Sequence, residues 1–363
     1  MMMRRVIALA AWAMKLLLWL LQRREQQKSP PSPSPRPGAG GNIGSLRSEI
    51  NTAPRSPTAT HAQRGAALIM ALLVVALATT LATTLIWRED VWLRGVETRR
   101  DLGQARQLAI AGVDWARAVL AEDARSNRYD HLGEPWATKV PAMPAEGGEI
   151  GGAISDEQGK LNLNNLVRNG QLSPHDLRVF QQLLSQLQLP PQLATTLADW
   201  LDADDQAGAD GAEDDAYINA KPPYRAANRE LTDVDNLLHV RGYTPEIVER
   251  LRPYVSALPG YNPLNINTAS ALVIAAVLYD FPAPEIQQIV ADRDRIPYLD
   301  VGDFRKRLSH QDLAALPSTE RLDTRSTYFS VFIHARVGNA DAAVNALLYR
   351  STTWPAIVWQ KFE

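Results

Sequence analysis

The densest chemistry in the 363-residue chain is acidic. Asp199, Asp202, Asp204, Asp205, Asp210, Glu213, Asp214 and Asp215 all fall in the stretch DWLDADDQAGADGAEDDAYINAKPPYRAANRE. Carboxylates this dense repel one another unless a cation or water neutralises them. Hard oxygen ligands in a flexible, glycine-containing loop suit calcium. The EF-hand template is not met, because no Glu closes the loop at the required offset. A solvated acidic loop is the alternative reading. Other chemistry finds less support. The chain has no Cys, which excludes a disulfide framework, Cys-based zinc sites and a cysteine nucleophile. His61, His131, His175, His239, His310 and His334 are scattered, with no His-Glu-x-x-His, Gly-x-Ser-x-Gly or phosphate-binding glycine loop. These observations argue against an enzyme.

Helical segments must position the acidic loop. Residues 173–315 show three- and four-residue apolar spacing and almost no strand signal. The spacing predicts helices over 174–187, 190–203, 230–240, 244–256, 268–279, 283–294 and 300–308. Ser173-Pro174, Thr244-Pro245-Glu246 and Asn267-Thr268 place a capping residue before three of these runs. Strand patterns flank them. Residues 149–165 read as a hairpin that turns at Asp156-Glu157-Gln158-Gly159, with Leu161 and Leu163 on its second arm. Phe329, Val331, Ile333, Ala335 and Val337 alternate with polar residues as a half-buried strand, and 344–350 and 356–360 can supply two more. A small antiparallel sheet is thus expected to be split by a helical insert.

The N-terminal part differs in charge. Residues 1–64 carry 10 Lys/Arg against 2 Asp/Glu, whereas residues 65–363 carry 28 against 38. A basic head before an acidic body argues for membrane orientation more than for nucleic-acid binding. Residues 6–21 are apolar but interrupted by Lys15, which suits a signal-like segment, an interfacial helix or sequence upstream of the true start. Residues 29–64, rich in Pro, Ser, Gly and Arg, are expected to be disordered. The run 66–87 has no charged residue, and its 22 residues make a helix of about 33 Å, enough to cross a hydrocarbon core. Arg64 precedes it on the side expected to face the cytoplasm. Leu102, Ala105, Leu108, Ala109, Gly112, Val113, Ala116, Val119 and Leu120 continue the helical period, which predicts one helix over 66–123.

Arg64-Gly65 stands directly before the apolar run, with no small-x-small cleavage site at its far end. This resembles a type IV prepilin leader. The resemblance implies cleavage between Gly65 and Ala66 by prepilin peptidase and N-methylation of Ala66. Pilins and most pseudopilins carry Glu at the fifth mature position, where this chain has Met70. By family analogy that Glu pairs with the N-terminus of a neighbouring subunit inside the membrane. A subunit with nothing above it needs no such charge, so Met70 suits the tip of a filament.

The order Asp199-Trp200-Leu201-Asp202-x-Asp204, Gly211-Ala212-Glu213-Asp214-x-x-Tyr217, Pro222-Pro223-Tyr224-x-Ala226-x-Asn228, with Asn265-Ile266-Asn267-Thr268-Ala269 later, resembles the K-type minor pseudopilins of type II secretion systems. The similarity covers about residues 64–363. It implies an α+β chain: a pilin-like fold, with its long N-terminal helix packed on a small antiparallel sheet, interrupted by a large all-α inserted domain. The expected division is 1–65 leader and extension, 66–125 long helix, 126–170 first part of the pilin-like domain, 171–315 insert and 316–363 terminal strands. The resemblance also implies structural calcium on Asp202, Asp204, Glu213 and Asp214, with Asp205, Asp210 and Asp215 as further candidates. The implied location is the inner membrane, single-pass, with the head in the periplasm. Implied partners are the I- and J-type minor pseudopilins, in a tip complex that initiates the pseudopilus, and the major pseudopilin. The alternative is a membrane-anchored helix-hairpin-helix DNA-binding protein of a pilus-like uptake system, suggested by LLHVRGYTPEIVERLRPYV and LNINTASALVIAAVL. Charge opposes it. Residues 190–312 hold 11 Lys/Arg and 20 Asp/Glu, a surface that repels phosphates, so no nucleic-acid partner is expected.

Overall fold

The computed structural model describes residues 62–219, 221–308, 317–318, 320–351 and 354–363. The expectations for residues 1–61 lie outside the described residues. The chain divides after Val96 into two compact units.

Helix α1 runs Ala62–Ser126, beginning upstream of Gly65-Ala66 and ending three residues beyond the expected stop. Before Val96 its described large apolar side chains are exposed, including Met70, Leu73, Val74, Leu77, Leu81, Leu85, Trp87 and Trp92. Thr80 and Thr84 donate their hydroxyls to the main-chain oxygens of Ala76 and Leu81, so these polar groups are satisfied within the helix. Among the described residues no helix is long and apolar enough to cross a membrane. Several side chains of the run 66–87, that of Ala66 included, lie outside the described set, so the membrane reading of that run stands on sequence.

In the second unit the sheet is an antiparallel meander of five strands: β1 (Val140–Ala145), β2 (Gly148–Asp156), β3 (Tyr328–Val337), β4 (Ala340–Tyr349) and β5 (Ala356–Phe362). Strands β2 and β3 are neighbours in register, with Gly152 opposite Ile333, although more than 170 residues separate their facing positions in sequence. The apolar alternation of β3 turns Phe329, Val331, Ile333 and Ala335 onto the buried face. There they meet Ala109, Val113, Ala116 and Leu120 of α1, together with Val344, Ala346 and Leu348. Gly112 lets helix and sheet approach closely. A Cβ there would stand 2.8 Å from Ile333 Cγ2 and 2.9 Å from Ile150 Cδ1. Gly112→Val should therefore destabilise the head by about 1–3 kcal/mol, measured by denaturant unfolding.

The hairpin expected over 149–165 is not formed. Strand β2 pairs instead with β1, which the Pro141 and Pro144 of VPAMPA hid from a strand pattern. Leu161-Asn162 forms a short parallel ladder with Val255-Ser256.

The insert between β2 and β3 is mainly helical but not all-α. Its helices are α2 (Pro174–Gln186), α3 (Leu193–Leu201), α4 (Asp214–Tyr217), α5 (Pro245–Leu251), α6 (Ala271–Val277), α7 (Ala283–Arg295) and α8 (Val301–Arg307). The expected helix 230–240 is a 3-10 turn over Val234–His239. Besides the Leu161 ladder, Leu264-Asn265 pairs in parallel with Leu322-Asp323, and Val167-Arg168 pairs antiparallel with Gln171-Leu172. Phe180, Leu183, Leu197, Leu237, Leu251, Ile274 and Phe304 belong to one apolar core that serves the insert.

One polar device occurs twice in it. In Leu161-Asn162-Leu163-Asn164, Asn162 accepts from the Asn164 amide, and Asn164 bonds both the N–H and C=O of Leu231. In Leu264-Asn265-Ile266-Asn267, Asn265 accepts from the Asn267 amide, and Asn267 bonds both main-chain groups of Tyr298. These asparagines fix non-helical backbone in the interior, where unpaired amides are costly. Asn267 is thus engaged with Tyr298, and the cap of α6 is Ser270.

Candidate metal centre

Helix α3 carries Asp199 and Trp200 on its last turn and stops at Asp202, whose extended backbone turns the chain away. Asp199 accepts from the main-chain N–H groups of Gly208 (3.0 Å) and Ala212 (2.8 Å), folding the loop back over the helix end. Gly211 passes so close to this carboxylate that a Cβ would overlap it. The returning chain then presents Glu213, which is buried.

Asp202, Asp204 and Glu213 converge: one oxygen from each lies within 4.8 Å of the others. Asp202 Oδ1 and Glu213 Oε1 are buried with no hydrogen-bond partner. Burial, reinforced by Asp204 and Asp199, pushes Asp202 up to about 6. Burial, reinforced by Asp202 and Asp199, pushes Glu213 up to about 7. Without a cation, both groups thus hold a proton to higher pH than an ordinary carboxylate. Their contribution to stability is complete below the ordinary carboxylate range and is lost as pH rises through about 6 to 7. A divalent cation would reverse that preference.

The remaining candidates stand elsewhere. Asp214 accepts from the Ala226 amide at 3.0 Å and lies 3.6 Å from Arg225 Nη1. Asp205, Asp210 and Asp215 are exposed. Asp210 adopts φ 65° on the turn before Gly211.

The residues that position the loop stand in the same stretch of sequence, which names them but not their roles. Trp200, Tyr217 and Tyr224 form a ring cluster, with centroids 5.0 Å apart for Trp200–Tyr217 and 5.3 Å for Tyr217–Tyr224. Asn228 donates its main-chain N–H to Trp200 O at 3.0 Å, and Tyr224 donates its hydroxyl to His239 O at 3.0 Å. Asp199, first read as one of eight similar acids, is the one that holds the loop. Gly211→Ala should displace that carboxylate from both amides and weaken cation affinity by about tenfold to a hundredfold, read by calorimetry.

Two family models match the chain, both described as type II secretion system protein K, over residues 159–260 and 264–331. A type II secretion system protein K of Pseudomonas aeruginosa is 36% identical over 300 residues, covering 79% of this chain and 89% of that protein. One from Pectobacterium carotovorum is 30% identical over 322 residues, covering 83% and 96%. Among solved structures, the GspK-GspI-GspJ complex of enterotoxigenic Escherichia coli matches with TM-score 0.64 and 24% identity, over 74% of this chain and 99% of that chain, a likeness of fold. The DNA-binding alternative finds no support among these relatives. The chain belongs to the type II secretion system protein K family and is a minor pseudopilin of that system.

Proposed function

We propose that this minor pseudopilin sits at the tip of the pseudopilus and starts its assembly, in a complex with I- and J-type minor pseudopilins. The role is one of assembly and not of catalysis. The observation that carries the reading is the insert, which enters between two adjacent strands of the sheet and brings its own apolar core. A subunit that must be followed by copies of itself has no room for a second body on its head. At a filament end nothing stacks above it. Met70, where most pseudopilins have Glu, agrees with a subunit that receives no neighbour from above.

In this proposal prepilin peptidase cuts between Gly65 and Ala66 and Ala66 becomes N-methylated. The run 66–87 then anchors the chain in the inner membrane with the head in the periplasm, and the major pseudopilin adds below. Calcium is the cation the acidic site fits. Two oxygens on opposite sides of a calcium ion lie about 4.8 Å apart, and the orphaned oxygens of Asp202 and Glu213 need a positive partner. Asp202, Asp204 and Glu213 would hold the ion, with remaining oxygens from main-chain carbonyls, bidentate carboxylates or water. Bound there, it would fix the end of α3 to the returning strand of the loop.

Affinity purification of the tagged full chain, co-expressed with the other minor pseudopilins, tests the assembly reading. The proposal expects I- and J-type subunits to co-purify in fixed proportion. Recovery of this chain alone, under conditions where the other two still pair, contradicts it.

A further inference from the structure

A second acidic cluster lies where α1, the sheet and the insert meet. It comprises Asp123 near the end of α1, Asp130 and Glu134 in the following segment, Asp156 at the end of β2 and Arg350 just after β4, each at most 8% exposed. Arg350 donates to Asp123 Oδ2 at 2.7 Å and Asp130 Oδ1 at 2.5 Å, and also to Ser326 O at 2.8 Å. The guanidinium is the cation of this junction. Glu134 has no such partner. Its acceptor bonds come from neutral donors: Asn127 Nδ2 at 2.5 Å, the His131 amide at 2.9 Å and Trp136 Nε1 at 2.8 Å. Asp156 is likewise held by neutral donors, the Ser326 and Thr268 hydroxyls at 2.6 Å and Asn265 Nδ2 at 3.0 Å.

The charges do not balance. Four carboxylates face one guanidinium in a buried site, and unpaired buried charge is expensive. One oxygen each of Asp123, Asp130 and Glu134 lies within 4.8 Å of the others, so like charges add to the cost of burial. A metal ion is a poor answer, because the Arg350 guanidinium already holds the cation position against Asp123 and Asp130 and would have to be displaced. A proton is a better one.

We propose that this junction is a proton-binding site: Glu134, beside Asp130 and Asp123, keeps a proton in the folded head near neutral pH, and its loss loosens the joint between α1, the sheet and the insert. The electrostatics agree. Burial pushes Glu134 up to about 7 against the pull of its donors, with Asp123 and Asp130 adding to the rise. Burial pushes Asp130 up to about 6 even beside Arg350. Asp156 is raised by burial, and His131, the other titratable side chain at the site, is lowered by it. A carboxyl raised in the folded state stabilises fully below its unfolded pKa, and that stabilisation is lost as pH climbs through the folded value. The window is therefore about pH 6 to 7.

Infrared difference spectroscopy of the purified full chain in detergent, between about pH 6 and about pH 8.5, reads the proton directly. Measured in the Asp202→Asn/Glu213→Gln background, which removes the acidic-loop carboxyls raised into the same range, the chain should lose a protonated-carboxyl C=O band across that interval, and adding Glu134→Gln should remove that band. Asp130→Asn, which removes a neighbouring negative charge, should move the midpoint of the band to lower pH. Thermal unfolding should show Tm falling by about 5 °C over the same interval in the wild type and by less in Glu134→Gln. A spectrum of that background, or of the wild type, without a titrating carboxyl band overturns the proposal. A band that persists unchanged when Glu134→Gln is added also overturns it.

Discussion

Arg350→Met should lower the free energy of unfolding by about 3–5 kcal/mol, the cost of leaving buried charges without their partner. Its side chain is 2% exposed, and it ties Asp123 of α1 to Asp130 and to Ser326 O while lying 4.5 Å from the centre of the Phe329 ring. The substitution keeps the stem length and removes only the guanidinium. What remains is a cluster of carboxylates with no cation, whose members must then take up protons or draw in water. The loss should therefore be larger above neutral pH than at mildly acidic pH. Adding Asp123→Asn should restore part of it, because one stranded charge is gone. Urea denaturation of single and double variants measures both effects. A loss below about 1 kcal/mol would mean that the pair behaves like a solvated surface bridge and that the joint is held by apolar contact alone.

Calcium should raise Tm by about 10 °C at a free concentration near a thousand times its Kd, equivalent to about 4 kcal/mol. Asp202→Asn combined with Glu213→Gln should abolish that response. The same double variant should be more stable than the wild type in chelator. Asp202 Oδ1 and Glu213 Oε1 are buried without donors, and both carboxylates are pushed towards protonation by burial and by neighbouring carboxylates. Removing their charges relieves a repulsion that otherwise takes a proton or a cation to offset. Asp214→Asn is the control: its carboxylate serves the Ala226 amide, so calcium affinity should hardly change. Scanning calorimetry with and without calcium separates these outcomes. A full calcium response in the Asp202/Glu213 double variant would move the site elsewhere in the loop.

The parts of the fold legible in sequence are those set by period. The alternation from Phe329 to Val337 gave strand β3 nearly to its ends, and the three- and four-residue spacing placed α2 and α7 within about a residue. What failed depended on distant partners. The alternation of Leu161 and Leu163 looks like the arm of a hairpin, yet Leu161-Asn162 pairs with Val255-Ser256, a partner no local pattern names. Strand β1 lies at the sheet edge, where Pro141 and Pro144 are tolerated, so its sequence carries no strand signal.

The same division holds for the sites. Composition marked the acidic loop, but eight similar acids do not say which converge. The backbone selects Asp202, Asp204 and Glu213 because Asp199 folds the loop and Gly211 lets it pass. The junction around Arg350 was invisible, since its members are spread from Asp123 to Arg350 and only the fold gathers them.

In the proposed role this subunit begins the fibre. Cryo-electron microscopy of pseudopili assembled with an internally tagged copy of the chain tests it most directly. One tagged subunit is expected at one end of each fibre, and no fibres when the gene is deleted. Tagged density repeating along the shaft, or fibres of normal number and length without this chain, would contradict it.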